Sequence, residues 1–199
     1  MKPQILIIHG GTAFNTYDDY LAYLRTAEIR LERTPRADWK DTLAATLPEY
    51  EVLFPGMPSA GNAKYSEWSI WFERIIPLLR DNVTLIGHSL GGVFLAKYLS
   101  EHTLPVSVAS IHLVAAPYDA DTDAEGMADF RITKPVTFPN TKVYLYYSND
   151  DIYVAPEEGK KYARDLSDAT FLSFEDRGHF FTQNQFPELL ERIIENTSQ

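Results

Sequence analysis

The sequence predicts an α/β protein: a doubly wound, mostly parallel sheet of six strands with helices on both faces. Six short apolar segments alternate with longer segments of helical periodicity. Strands that are joined through helices run parallel, and such a sheet is covered on both faces. No segment between strands is long enough for a separate cap domain, so the 199 residues predict a single domain over 1–199.

Each predicted strand is a short apolar run that ends at turn-forming residues. The first run ends at His9-Gly10-Gly11, and the second is closed by Pro55-Gly56. In chain order, strands are predicted at residues 5–8, 50–54, 83–86, 106–115, 142–147 and 169–174. Function in such a sheet lies outside the carboxyl ends of the strands, so the loops after these segments are the place to look for a site.

Each predicted helix has apolar residues at helical spacing, and two have a recognisable end. The second stops near Pro48, and the fifth starts at Pro156, which suits a first helical turn. In chain order, helices are predicted at residues 17–31, 38–47, 66–80, 90–101, 156–166 and 186–195.

Charge and composition argue against several functional classes. The chain has 18 Lys and Arg against 28 Asp and Glu, and a net charge of −10 argues against nucleic acid as a partner. The absence of cysteine excludes disulfides, thiol nucleophiles and thiolate zinc sites. The apolar run 5–8 is too short for a signal-peptide core, and no run reaches transmembrane length. We therefore expect a cytoplasmic protein with no membrane partner.

The strongest chemical signal is Gly87-His88-Ser89-Leu90-Gly91, a G-x-S-x-G sequence between a predicted strand and a predicted helix. At such a junction the serine lies on a strained turn, and the glycines let neighbouring backbone segments pass closely. The turn projects the hydroxyl above the sheet, where an incoming carbonyl carbon can meet it. We predict that Ser89 is a nucleophile.

A serine hydroxyl is a weak nucleophile until a base removes its proton, and two histidines follow Ser89 in the chain. His112 lies in the middle of the predicted strand 106–115, so its side chain should point into a face of the sheet and lie in the core. His179 lies in the loop after the last predicted strand, at the same rim as Ser89. We predict that His179 is the base.

The base needs an acid to orient it, and the acid is expected at the end of the predicted strand 142–147. Asp150 and Asp151 both follow that strand. Alternate residues after a strand point in opposite directions, so only one of them faces His179. From the residues alone, both remain candidates.

Negative charge on the substrate oxygen also needs hydrogen-bond donors. One predicted donor is the N–H of Leu90, at the start of the helix after Ser89. The second is expected from the loop after the first strand, with Gly11 as the choice and Thr12 as the alternative. In a flavodoxin-like strand order, strands one and three are neighbours, and this loop faces the Ser89 turn.

Several segments carry a family resemblance. They are Ile7-Ile8-His9-Gly10, Gly87-His88-Ser89-Leu90-Gly91-Gly92, Asp150-Asp151, Gly178-His179-Phe180, Phe54-Pro55-Gly56-Met57-Pro58 and Glu67-Trp68. The chain resembles the α/β-hydrolase superfamily and, by its small size, the YdeN-like and retinoblastoma-binding serine hydrolase branch.

That resemblance implies a minimal α/β-hydrolase fold with a triad of Ser89, Asp151 and His179 and no cofactor. The spacing from Asp151 to Val154 is similar to the G-x-x-D-x-x-V pattern around the acid of many hydrolases, which favours Asp151. Asp150 stays the alternative.

Loops at the predicted rim supply further candidates. Four aromatic residues there would accommodate a short apolar acyl or aryl group as substrate-binding residues: Phe14, Tyr118, Tyr153 and Phe180. The stretch 24–40 has an excess of positive charge, which is typical of a solvated helix face, although it would also suit a wall of the entrance.

The acidic stretch 119–126 resembles a calcium loop only at first glance. Ala124 stands where the sharp turn needs glycine, and Phe130 stands where a bidentate glutamate is needed. No metal is expected there.

These residues predict hydrolysis of a small carboxylic ester or related acyl bond through an acyl-serine intermediate. An amidase or peptidase with the same triad is one alternative. A catalytically idle protein-interaction module is the other, although an interaction surface needs none of the triad residues. The expected partner is a small acyl substrate, and no sequence feature indicates a protein partner.

Overall fold

The computed structural model describes residues 1–29, 31, 38–119, 126–181 and 184–197, and in this part of the chain six strands form one sheet. The strands are β1 (Gln4–Ile8), β2 (Glu51–Leu53), β3 (Val83–His88), β4 (Val108–Val114), β5 (Lys142–Ser148) and β6 (Thr170–Phe174). They lie in the order β2-β1-β3-β4-β5-β6, and every pair is parallel. The predicted parallel sheet is confirmed.

Helices connect the strands and cover both faces. In the described residues they are α1 (Tyr17–Thr26), α2 (Trp39–Thr46), α3 (Tyr65–Ile75), α4 (Leu90–Glu101), α5 (Pro156–Asp165) and α6 (Pro187–Thr197). Side chains of a strand alternate between faces, so Leu6 and Ile7 enter different clusters. Leu6 belongs to the core that contains residues of α3, α4 and α5, and Ile7 to the core that contains residues of α2 and α6.

Two helices end earlier than the sequence predicts. α1 ends at Thr26 and not at residue 31, and Leu24 and Leu31, which the periodicity counts as apolar contacts, are exposed. Helical spacing extends a helix only when the apolar stripe is buried. α3 ends at Ile75 and passes into a 3₁₀ turn that contains Pro77, which has no N–H to continue the helix. Residues 30 and 32–37, which come between α1 and α2 in the chain, lie outside the described residues.

The neighbouring positions of β1 and β3 bring two loops together. Ile8, the last residue of β1, pairs with Gly87 near the end of β3. The loop after β1 and the turn after β3 therefore leave the sheet side by side, at its carboxyl edge. The flavodoxin-like neighbourhood on which the predicted site depends is confirmed.

We expect Gly91→Ala to lower the free energy of unfolding by about 1–3 kcal/mol, because the added methyl group overpacks the contact between α4 and β1. A Cβ at this position would lie 2.5 Å from the carbonyl oxygen of His9 and closer still to that of Ile8. Urea unfolding measures the change. Gly56→Ala is the control, because a Cβ at Gly56 meets no atom within 4 Å. Equal stability of the two variants would contradict this account of the close approach.

Candidate active site

Ser89 occupies a strained turn between β3 and α4. Its backbone angles are φ 54° and ψ −124°, a combination that L-residues rarely adopt. The N–H of Ser89 donates to the carbonyl oxygen of Val114 at 2.8 Å, which ties the turn to the end of β4. A side chain held in such a turn stands clear of both the strand and the helix.

The loop after β1 faces this turn. A Cβ placed on Gly10 would lie 3.0 Å from Ser89 Cβ and 3.5 Å from Ser89 Oγ. Glycine at this position therefore leaves the space directly beside the hydroxyl free. Gly11, Leu90 and His179 join Ser89 in lining one cavity of about 450 Å³, called here the Ser89 cavity.

His179 and Asp151 form a buried pair. His179 Nδ1 lies 2.8 Å from Asp151 Oδ2, and the two residues are 7% and 9% exposed. Asp151 Oδ1 accepts the N–H groups of Tyr153 at 2.8 Å and Val154 at 3.1 Å. Because a carboxylate at Nδ1 favours the tautomer with a proton on that nitrogen, Nε2 is left as an acceptor.

Asp150 has different hydrogen-bond partners from Asp151. Its Oδ1 accepts the N–H of Gly178 at 2.8 Å and the hydroxyl of Ser148 at 2.5 Å. These hydrogen bonds, that of Ser148 first, lower the pKa of Asp150 from its ordinary value. Asp150 thus braces the turn that precedes His179, while Asp151 contacts the imidazole itself.

Ser89 and His179 both line the cavity. In the described structure the serine hydroxyl makes no hydrogen bond with the imidazole, whose Nδ1 faces Asp151. Such contacts are often long in the free enzyme and tighten when substrate binds. Rotation of the Ser89 hydroxyl about its staggered positions is the motion available to shorten the gap.

His112, the other histidine that follows Ser89, lies in the core as predicted. Its Nε2 is 3.0 Å from Ser110 Oγ, its Nδ1 is 2.9 Å from the hydroxyl of Tyr146, and its ring stacks on Tyr144. Burial lowers the pKa of His112 to about 3. It is a neutral, satisfied core residue.

Two backbone N–H groups at the Ser89 cavity have no hydrogen-bond acceptor within the described residues, as the predicted oxyanion donors require. Those of Gly11 and Leu90 donate to no group in the described part of the chain. Thr12, the alternative to Gly11, donates its N–H to the carbonyl oxygen of Ala60 at 2.8 Å. The geometry therefore leaves Gly11, and not Thr12, available beside Leu90.

Of the four aromatic residues expected in the pocket, only Tyr153 lines the cavity. Tyr153 is 52% exposed, and its ring centroid lies 5.1 Å from that of His179. The expectation for Phe14 is corrected, because its ring is buried against Tyr20 and Tyr23 of α1.

Tyr118 and Phe180 also lie away from the cavity. The Tyr118 hydroxyl donates to Asp165 at 2.5 Å, which holds the buried side chain against α5. Phe180 has a positive φ of 57°, and its ring turns inward to stack on Phe186. The next residue, Phe181, lines the cavity in its place.

The cavity also contains residues that no sequence motif indicates, and Asp38 and Lys40 at the start of α2 are the clearest cases. The one sequence signal for them is the excess of positive charge in the stretch 24–40, which is more typical of a solvated helix face. Arg30, Arg33 and Arg36 of that stretch lie outside the described residues.

His88 helps to hold the loop that carries His179. Burial lowers the pKa of His88 well below its ordinary value, so the ring is neutral. Its Nε2–H donates to the carbonyl oxygen of His179 at 2.9 Å, because a carbonyl oxygen only accepts. Trp39 of α2 donates its ring N–H to the carbonyl oxygen of Phe180 at 3.1 Å. Two consecutive carbonyls of this loop are thus fixed by buried side chains.

Within the residues that the structure describes, no three His, Asp or Glu side chains come together as a metal site requires. Residues 120–125 of the acidic stretch 119–126 are outside the description. Among the described helices, none combines the length and the apolar character needed to cross a lipid bilayer.

Known proteins were compared with this chain by sequence and by fold. The model of the serine hydrolase family matches residues 31–194. No curated protein matches the sequence.

Solved structures share the fold at low sequence identity. The chain is similar to the ydeN gene product of B. subtilis, with 20% identity, a TM-score of 0.71, and 99% of this chain and 100% of that chain covered. A putative YdeN-like hydrolase from Pectobacterium atrosepticum gives 14% identity, a TM-score of 0.69, and coverages of 99% and 91%. The esterase domain of a Rhodothermus marinus protein gives 17% identity, a TM-score of 0.61, and coverages of 92% and 79%.

Proposed function

Because the chain belongs to the serine hydrolase family, we propose that it cleaves a small carboxylic ester or related acyl bond through an acyl-Ser89 intermediate. The Asp151–His179 pair is the observation that carries the proposal. Its atoms are 2.8 Å apart, and His179 lines the same cavity as a serine held at positive φ. These contacts support Ser89 as the nucleophile, His179 as the base and Asp151 as the orienting acid.

In this mechanism His179 Nε2 takes the proton of Ser89 as Oγ attacks the carbonyl carbon of the substrate. The N–H groups of Gly11 and Leu90 stabilise the negative oxygen of the tetrahedral intermediate. His179 then gives the proton to the leaving alcohol as its bond to carbon breaks. Water, deprotonated by His179, then attacks the acyl-Ser89 carbonyl carbon. As the bond from that carbon to Oγ breaks, His179 returns the proton to Oγ, which frees the acid and restores Ser89.

Asp151 acts on the imidazole and not on the substrate. Its Oδ2 faces Nδ1, and its Oδ1 is held by two backbone N–H groups, so the carboxylate is fixed in position. A fixed carboxylate keeps Nε2 directed away from the acid and stabilises the imidazolium that forms during the reaction.

The mixed lining of the Ser89 cavity favours short acyl groups. We expect kcat/KM for para-nitrophenyl esters to be highest for acetate to hexanoate and to fall for longer chains, because His9, Asp38 and Lys40 share the cavity wall and limit the apolar surface that a long chain can contact. Initial rates over a graded series of esters measure this. A strong preference for dodecanoate over butyrate would contradict it.

The same assay separates ester from amide cleavage. The para-nitroanilide of butyrate is compared with the para-nitrophenyl ester, which has the same acyl group. We propose ester cleavage as the preferred reaction. Faster turnover of the anilide would assign the protein to the amidase alternative while leaving the roles of Ser89 and His179 intact.

A further inference from the structure

An ion pair that the proposed mechanism does not use lies in the wall of the Ser89 cavity. It is formed by Asp38 and Lys40, whose Oδ2 and Nζ are 2.6 Å apart, and both residues line the cavity. Lys40 is only 7% exposed. A buried ammonium is unusual for a lysine, so its position in a cavity calls for a reason.

Within the described residues, the ammonium of Lys40 has unused N–H donors, whereas both carboxylate oxygens of Asp38 already accept a hydrogen bond. Both oxygens of Asp38 are engaged, since Oδ1 accepts the backbone N–H of Lys40 at 3.0 Å and Oδ2 accepts the ammonium. An ammonium has three N–H donors. In the described structure that of Lys40 has Asp38 as its one hydrogen-bond acceptor, and it lies 4.7 Å from the centroid of the Trp39 ring.

The surroundings of Lys40 only partly compensate its charge. Burial is the main cause that lowers the pKa of Lys40, and the carboxylates of Asp38 and Asp41 oppose this without cancelling it. A desolvated ammonium of this kind is stabilised by a further anion at short range. The whole protein has a charge of −10, so it does not attract anions at long range, and any such preference must come from a local contact.

We propose that Lys40 binds a carboxylate or similar anionic group on the substrate, so that the preferred ester carries a negative charge away from the bond that is cleaved. This inference rests on the proposed function, since it concerns the substrate of the same cavity. Asp38 is then a positioning residue that holds the ammonium at the cavity wall.

The test compares matched esters that differ only in one charge. In the first arm the charge is on the acyl side: para-nitrophenyl hydrogen adipate against its methyl ester, with release of nitrophenolate as the readout. In the second arm it is on the leaving group: the butyrate ester of para-hydroxyphenylacetic acid against the methyl ester of the same compound, with release of the phenol as the readout. The measured quantity is the ratio of kcat/KM for the anionic ester to that for the neutral one.

We expect Lys40→Met to lower this ratio by about tenfold or more in one arm, because the variant removes a charge-assisted hydrogen bond. The ratio carries the test, and not the absolute kcat/KM, because a general change in the cavity wall affects the anionic and the neutral ester alike. Lys40→Arg should retain the ratio and Lys40→Gln should lose it, and this second pair decides the matter if Lys40→Met does not fold. Lys160→Met is the matched control, because Lys160 is exposed and pairs with Glu157.

Two negative outcomes are distinct. If Lys40→Met and Lys40→Gln keep the wild-type ratio in both arms, the anionic subsite is wrong, and the proposed function stands because the esters are still hydrolysed. If the wild-type protein hydrolyses none of the esters, the proposed function is wrong, and the subsite inference falls with it.

Discussion

Ser89→Ala is expected to abolish labelling by a fluorophosphonate probe and to lower kcat for para-nitrophenyl butyrate by about 10³-fold or more. The probe reacts only with an activated serine, and the variant removes the atom that forms the covalent bond. Gel fluorescence measures the labelling, and nitrophenolate release measures turnover. Alanine carries one Cβ as serine does, so the strained β3–α4 turn is not altered and the fold should be retained.

Ser100→Ala is the matched control, because Ser100 lies on α4, the helix that follows Ser89, and its hydroxyl donates to the carbonyl oxygen of Ala96. This variant should label and turn over substrate like the wild type. Labelling that survives Ser89→Ala would place the nucleophile elsewhere. A wild-type protein that neither labels nor hydrolyses esters would favour the interaction module over the hydrolase.

Asp151→Asn is expected to lower kcat by about 10⁴-fold, with little change in KM. The amide would present an N–H or a carbonyl oxygen to His179 Nδ1, where the present carboxylate only accepts. Without a fixed acceptor at Nδ1 the imidazole takes the wrong tautomer, and Nε2 no longer accepts the proton of Ser89. Steady-state kinetics on the butyrate ester, with circular dichroism to confirm folding, measure the effect.

Asp150→Asn is the matched control, because it makes the same substitution at the neighbouring residue. Asparagine keeps an Oδ1 that accepts from Gly178 and Ser148, so the turn before His179 should persist and kcat should fall by less than about tenfold. The two variants differ by one position and change the charge equally. A larger kcat loss in Asp150→Asn than in Asp151→Asn would reverse the assignment of the acid.

The sequence predicts those parts of the site that depend on local backbone signals. The G-x-S-x-G turn, the start of α4 at Leu90 and the parallel order of β1 and β3 follow from short-range pattern and from the rules of parallel sheets. Adjacent residues point in opposite directions, so the sequence predicts that only one of Asp150 and Asp151 faces His179. It does not predict which one, and only the family resemblance favours Asp151.

The sequence does not predict which loop side chains face the cavity. Phe180 and Phe181 are adjacent and chemically identical, yet the positive φ of Phe180 turns its ring into the core and leaves Phe181 at the cavity. That backbone angle belongs to a loop whose carbonyls are held by Trp39 and His88, far away in the chain. The sequence does not predict the position of Lys40 either, because only the packing of α2 brings this side chain to the cavity.

The bonds from Trp39 to Phe180 and from His88 to His179 span 141 and 91 residues of chain. The loop that presents the imidazole is thus shaped by segments which are synthesised long before it. Contacts of such large sequence separation form late, because the entropy of closing the chain must be overcome first. The proposed reactivity toward an acyl group therefore requires the completed tertiary structure, and we expect Ser89 of a partly folded chain not to react.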